Sequence, residues 1–202
     1  MPDDLRQVRQ VRQVWIVRHG DTEWSQSGQH TGRTDLPLLD SGRAQGSRLR
    51  SLLASRRFAA VLTSPRRRAA ETAALAGFAS ATPDADLAEW DYGDYEGLTS
   101  LQVQTQVPGW TLWDDGAPGG ESPQDVGLRA DRVVRKLRDV DGDVLLFSHG
   151  HFLRVLAVRW IDLAPGAGRN LYIGTAGLGV LGFDRGDPVI RSWNISADGG
   201  PD

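Results

Sequence analysis

Apolar residues along the chain follow two patterns: short unbroken runs, and longer stretches in which they return every three or four positions. Residues 14–17 (Val-Trp-Ile-Val), 58–63 and 144–147 (Val-Leu-Leu-Phe) are of the first kind and predict buried strands. Residues 42–55 are of the second, with Leu49, Leu52 and Leu53 on one face and Asp40 or Ser41 placed to cap the helix. Ser64-Pro65 reads as N-cap and first residue of a helix over 66–76, which Gly77 ends. A short helix over 99–106 stops before Pro108, Ser122 caps an amphipathic helix over 124–138, and 151–160 is helical with Arg154 and Arg159 on its polar side. Residues 177–183 and 189–193 form a late strand pair around the turn 184–187. Three stretches show neither period: 21–39, 86–98 and 110–123. The first is long enough to be functional rather than connective. Strands alternating with helices imply an α/β sandwich with a mostly parallel sheet.

Composition narrows the function. The 202 residues suit one domain, read as 14–202, with 1–13 a polar, flexible lead-in that lacks the apolar core of a secretory signal. No apolar run approaches the ~18 residues of a membrane span. The expectation is a cytoplasmic protein with no membrane partner. A net charge of −3 argues against nucleic acid as partner. With no cysteine there is neither a thiolate nucleophile nor a sulfur-ligated metal. Cationic charge is almost all arginine, Lys136 being the one lysine.

The candidate chemistry lies where strands end. Arg18-His19-Gly20 follows the first strand, Ser64-Pro65-Arg66-Arg67-Arg68 the second, and Ser148-His149-Gly150 the third. If these strands are parallel neighbours, the tips meet at the carboxyl edge of the sheet, where open α/β folds bind ligands. Two histidines and several guanidiniums there suit an anion with several oxygens, most simply a phosphate, because arginine forks match it bidentately. A helix N-terminus at the second tip adds free N–H groups. Two His-Gly tips on buried strands are hard to explain as packing.

These residues resemble the histidine phosphatase (phosphoglycerate mutase-like) superfamily. The resemblance runs through Val17 to Thr22, Thr31-Gly32-Arg33-Thr34-Asp35 with Leu38 and Gly42, and Ser64 to Ala69 with Thr72. It continues in Leu87 to Gly93 with Glu96-Gly97, Gly120-Glu121-Ser122 and Ser148-His149-Gly150. It implies a three-layer α/β/α sandwich around a mostly parallel sheet. It implies that His19 is the nucleophile, its other ring nitrogen held by a loop carbonyl; that Arg18 and Arg68 clamp the phosphate; and that His149 donates to the transferring oxygens. Glu89 becomes the acid that protonates the leaving oxygen and then the base that activates water. Ser25, His30, Thr31, Gly32 and Glu121 are further substrate-contact candidates. No metal and no cofactor are expected, since the arginines and histidines supply the charge.

The same residues could hydrolyse a phosphomonoester or pass a phosphoryl group between substrate oxygens. The chain is short beside the mutases, and Trp24-Ser25 and Trp90 stand where mutases carry Trp-Asn and an arginine. The stretches 21–32 and 89–97 with Ser148-His149-Gly150-His151 are nearest the acid phosphatase and sedoheptulose-bisphosphatase branches. The expected activity is metal-independent hydrolysis of a small phosphorylated metabolite, a sugar phosphate or a broad range, through a phosphohistidine. A phosphoglycerate mutase and a catalytically silent phospho-ligand module are the alternatives, and a homodimer is admitted. Loops 26–33 and 110–121 would set selectivity.

Overall fold

The structure, a computed structural model, describes residues 13–196; the lead-in expected over 1–13 lies, but for Gln13, outside the described residues. Strands β1 (Gln13–Arg18), β2 (Ala60–Thr63), β3 (Thr82–Pro83), β4 (Val144–Ser148), β5 (Leu178–Asp184) and β6 (Asp187–Ile195) form one sheet in the order β3-β2-β4-β1-β5-β6. The β3-β2-β4-β1 part is parallel; β5 runs antiparallel to β1 and closes a hairpin with β6.

Alternation along the central strands builds two cores. Val14, Ile16, Val144 and Leu146 face one side, with helices α6 (Pro123–Arg138) and α7 (Gly150–Trp160) packed over them. Trp15, Val17, Leu145 and Phe147 face the other, under α2 (Asp40–Leu53) and α3 (Arg67–Leu75). The result is the expected three-layer α/β/α sandwich, and both faces of a parallel sheet are covered. Among the described residues no helix is long and apolar enough to cross a membrane.

Several local expectations need correction. The stretch 21–39 contains a short helix α1 (Glu23–Ser27), closed by a Thr22/Ser25 capping box and ended at Gly28, whose φ of 75° suits glycine. Neither Asp40 nor Ser41 caps α2: Leu39 is its N-cap without a side-chain bond, and Asp40 sits in the first turn, complementing the helix dipole. Ser64 is not the cap of α3 either, since Arg66 holds that place and the helix starts at Arg67. The second strand starts at Ala60, and the two-residue β3 carried no periodic signal. Helix α4 (Ser100–Gln106) and the Ser122 cap of α6 follow the sequence reading, while 110–123 holds an extra turn, α5 (Leu112–Asp115).

Candidate active site

Register brings the three tips together. Arg18 lies opposite Ser148, and Thr63 opposite Phe147, so β1, β4 and β2 end at one level with β4 between the other two. His19 follows β1, His149 opens α7, and Ser64 follows β2; the two imidazole centroids are 5.1 Å apart. Gly20 passes so close to α2 that a Cβ on it would lie 2.4 Å from the Gly42 carbonyl oxygen, which is why both positions need glycine. The constraint is one of backbone against backbone.

The His19 tautomer is fixed. Its Nδ1 is 2.7 Å from the Gly20 carbonyl oxygen, which can only accept, so Nδ1 carries the proton and Nε2 keeps a lone pair. Burial, then the Arg68 and Arg18 guanidiniums, hold its pKa well below the usual value, so the ring is neutral at neutral pH. Gly20 is the loop acceptor that the sequence left unidentified.

His149 is fixed the other way. Arg68 Nε donates to its Nδ1 at 3.2 Å, so Nε2 bears the proton and donates to Ser64 Oγ at 2.8 Å. Burial, with Arg68 next, lowers its pKa well below the usual value too. Arg68 is fully buried, and its remaining donors reach the carbonyls of Thr34 at 2.9 Å and Thr31 at 2.8 Å. Its charge therefore faces the histidines while its N–H groups tie down loop 31–34. Arg18 is freer: Nη1 donates to the Ile173 carbonyl at 2.8 Å, and Nε is buried without a partner among the described residues.

Glu89 sits at the N-terminus of α7, where three backbone N–H groups converge on it. Oε1 accepts from Trp90 and Phe152, both at 2.8 Å, and Oε2 from His151 at 3.1 Å. Arg18, His19, Ser25, His30, Thr31 and Glu89 all line one open cavity of about 680 Å³, mouth included. Arg68 and His149 lie behind it. Within it Ser25 Oγ is bonded to the Thr22 backbone, and His30 stacks on Tyr92 at 4.7 Å.

Two candidates stand apart. The Gly32 N–H is held by the Glu96 carboxylate at 2.9 Å, and Glu121 forms a fork with Arg129 at 2.7 and 2.8 Å. Both line a second cavity, of which Glu89 is also a wall. Arg129 also donates to the carbonyls of Asp86, Ala88 and Glu89, so this pair fastens the segment that carries Glu89.

Sequence reasoning did not select Tyr92, His151, Arg154 or Tyr172, which also line the main cavity. Arg154 stands one helical turn after His151 and was available from that spacing. Its guanidinium lies over the Trp113 ring at 4.4 Å, donates to the Gly168 and Arg169 carbonyls, and has its pKa pushed down to about 10 by burial. It still carries its charge at neutral pH. Tyr172 had no signal beyond being aromatic. Among the described residues no group of three His, Cys, Asp or Glu side chains is placed to hold a metal.

Known proteins resemble this chain in sequence and in fold. The sequence profile described as histidine phosphatase superfamily (branch 1) matches residues 14–196. An acid phosphatase of Mycobacterium tuberculosis is 42% identical over 175 residues, covering 85% of this chain and 86% of that one. A sedoheptulose 1,7-bisphosphatase of Saccharomyces cerevisiae is 36% identical over 182 residues, covering 73% and 67%. The solved structure of a Mycobacterium tuberculosis open-reading-frame product superposes with a TM-score of 0.86 at 39% identity, over 92% of this chain and 98% of that one.

Proposed function

This chain belongs to the histidine phosphatase superfamily and is an enzyme that hydrolyses phosphomonoesters, and we propose that it does so through a phosphohistidine on His19, without a metal, on small sugar-like phosphates. The observation that carries the proposal is the Nδ1 bond to the Gly20 carbonyl, which leaves a neutral Nε2 lone pair near buried cations, in a cavity that Glu89 also lines. Nε2 attacks phosphorus, the N–P bond forms, and the P–O bond to the alcohol breaks. Glu89 gives its proton to the departing oxygen. Water then attacks phosphorus, loses a proton to the Glu89 carboxylate, and the N–P bond breaks to release phosphate. Most of the rate comes from stabilising charge on the equatorial oxygens. Arg18 does this directly. Arg68 does it through its charge and by fixing the tautomer of His149, whose ring lies 5.1 Å from that of His19. The sugar-like substrate class is supported by the sedoheptulose-bisphosphatase relative and by a cavity wall rich in polar side chains.

The test is a phosphate-release screen of the purified protein. It covers para-nitrophenyl phosphate, sugar mono- and bisphosphates and 3-phosphoglycerate, from acid to neutral pH, with H19A as control. Release that vanishes in H19A, together with an acid-labile phosphoprotein trapped in rapid quench, is the expected result. Retained turnover in H19A refutes the nucleophile, and conversion of 3- to 2-phosphoglycerate without release would make the protein a mutase.

A further inference from the structure

One polar cluster, His30 and Tyr92 buried and His151 partly so, has no part in the mechanism above. His30, Tyr92 and His151 meet on the cavity wall, and Trp113 closes the set. The Tyr92 hydroxyl is 2.7 Å from His151 Nδ1, His30 stacks flat on Tyr92, and the His151 ring is 5.3 Å from that of Trp113. The His30 ring is 6.4 Å from that of His151, so the His151 ring is held by three neighbours. Burial raises the Tyr92 pKa well above the usual value and lowers that of His151 well below it, so the pair is a phenol and a neutral imidazole.

The proton positions follow from that pairing. Tyr92 has one O–H, and among the described residues its one hydrogen-bond partner is His151 Nδ1. The phenol therefore donates, Nδ1 accepts, and the imidazole proton stands on Nε2. Nε2 has no protein partner among the described residues, and His151 lines the main cavity. The position of this donor relative to the chemistry is also set. The His151 backbone N–H is the one that binds Glu89 Oε2, so the ring projects from the residue attached to the acid that meets the leaving oxygen.

We propose that His151 Nε2–H is a specificity-determining donor that binds an oxygen on the leaving group, so that the site selects phosphate esters of hydroxylated alcohols over those whose leaving group has no second oxygen. The proposal rests on the phosphomonoester-hydrolase reading and deepens it. A donor on the cavity wall that is covered by a leaving group lacking an acceptor is left unpaired, and such a mismatch discriminates more strongly than a change in apolar fit.

The experiment compares kcat/KM for ribose 5-phosphate with that for phenyl phosphate in wild type, H151F, H151Q and Y92F. H151F keeps a ring and loses the donor; H151Q restores an N–H at the position of Nε2. The ratio is expected to fall roughly 10- to 100-fold in H151F and to recover in H151Q, the loss of one hydrogen bond to substrate. A ratio that stays at the wild-type value, whether both esters fall together or neither does, overturns the proposal. A second readout does not need turnover. With four histidines in the chain, nitrogen-15 spectra resolve each ring, and His151 is expected as the Nε2–H tautomer, lost in Y92F. An Nδ1–H tautomer at His151 overturns the proposal. Should wild type hydrolyse none of the esters, the phosphatase reading fails separately. Movement of the His151 Nε2 resonance with ribose 5-phosphate and not with phenyl phosphate then upholds the donor, and no movement rejects it.

Discussion

Replacing Glu89 by glutamine separates what this residue does for the fold from what it does for the chemistry. The carboxylate accepts from Trp90, Phe152 and His151 N–H groups, two on Oε1 and one on Oε2. Glutamine keeps the shape, and its carbonyl in the Oε1 place keeps two of these bonds. Its NH2 then faces the His151 N–H, donor against donor. An unpaired buried donor costs about 1–3 kcal/mol. At about 2–4 °C per kcal/mol for a chain of this size, melting should fall by roughly 2–12 °C. The chemical loss is separate and depends on the leaving group. A sugar alkoxide leaves badly without a proton, and loss of a positioned acid costs about 10²–10⁴ in rate, or roughly 2.7–5.5 kcal/mol. A para-nitrophenolate leaves without one. The assay is kcat/KM for a sugar phosphate and for para-nitrophenyl phosphate, both measured well below the lowered melting temperature. The sugar ester should lose orders of magnitude and the aryl ester far less. Equal losses on both esters would refute the acid role and leave Glu89 as a support for the N-terminus of α7.

Three further outcomes follow from the geometry. His19, His149 and His151 have folded-state pKa values depressed well below the unfolded value near 6.5, chiefly by burial, so the unfolded chain binds more protons below that pH. Their contribution to stability is complete above 6.5 and is lost as pH falls, by up to about 1.4 kcal/mol per pH unit for each ring. The acid limb of kcat/KM for His19 should likewise lie below 6.5; urea midpoints that do not fall in acid, or a limb above 6.5, would contradict this. Arg129→Met leaves the Glu121 carboxylate with the Asp91 N–H as its remaining donor and three backbone carbonyls with none, and should cost about 3–5 kcal/mol by chemical denaturation, whereas Glu121→Gln should be milder and leave KM unchanged; a raised KM in Glu121→Gln would put that residue on the substrate. Gly42→Ala would set a Cβ 2.3 Å from the Asp21 carbonyl oxygen, and should cost about 1–3 kcal/mol and lower kcat/KM by pushing on the strand tip; an unaffected melting temperature would show that the two backbones are not in contact.

The edge that carries the site was legible because its logic is local. Each tip follows an unbroken apolar run, and parallel neighbours in register put the residues after each run at one level. What escaped the sequence is set by partners far away along the chain. Ser64 before proline looks like a cap, yet besides the Arg66 N–H its hydroxyl oxygen accepts from His149, which follows another strand. Arg68 is read as a clamp from its motif. That its N–H groups are taken by Thr31 and Thr34 depends on the course of a loop without periodicity. Arg154 illustrates the limit of pattern reading: amphipathicity says which face of α7 avoids the core, and a polar face is equally suited to bulk water and to an active-site wall.

The same cations serve two ends in this site. Burial and the two guanidiniums keep His19 neutral, which a nucleophilic nitrogen requires, and those guanidiniums are what a phosphate dianion needs. Their charge is poorly matched inside the protein, for among the described residues Glu89 is the one carboxylate lining the main cavity beside Arg18 and Arg154, with Arg68 fully buried nearby. A buried cation without a counter-ion is costly. The dianion relieves that cost, so part of its binding energy is an imbalance that folding leaves in place. The fold can hold the imbalance because it is anchored on backbone carbonyls: Arg18 on Ile173, Arg68 on Thr31 and Thr34, Arg154 on Gly168 and Arg169. Carbonyl dipoles orient guanidiniums without neutralising them. A carboxylate in any of those places would stabilise the protein more and attract phosphate less.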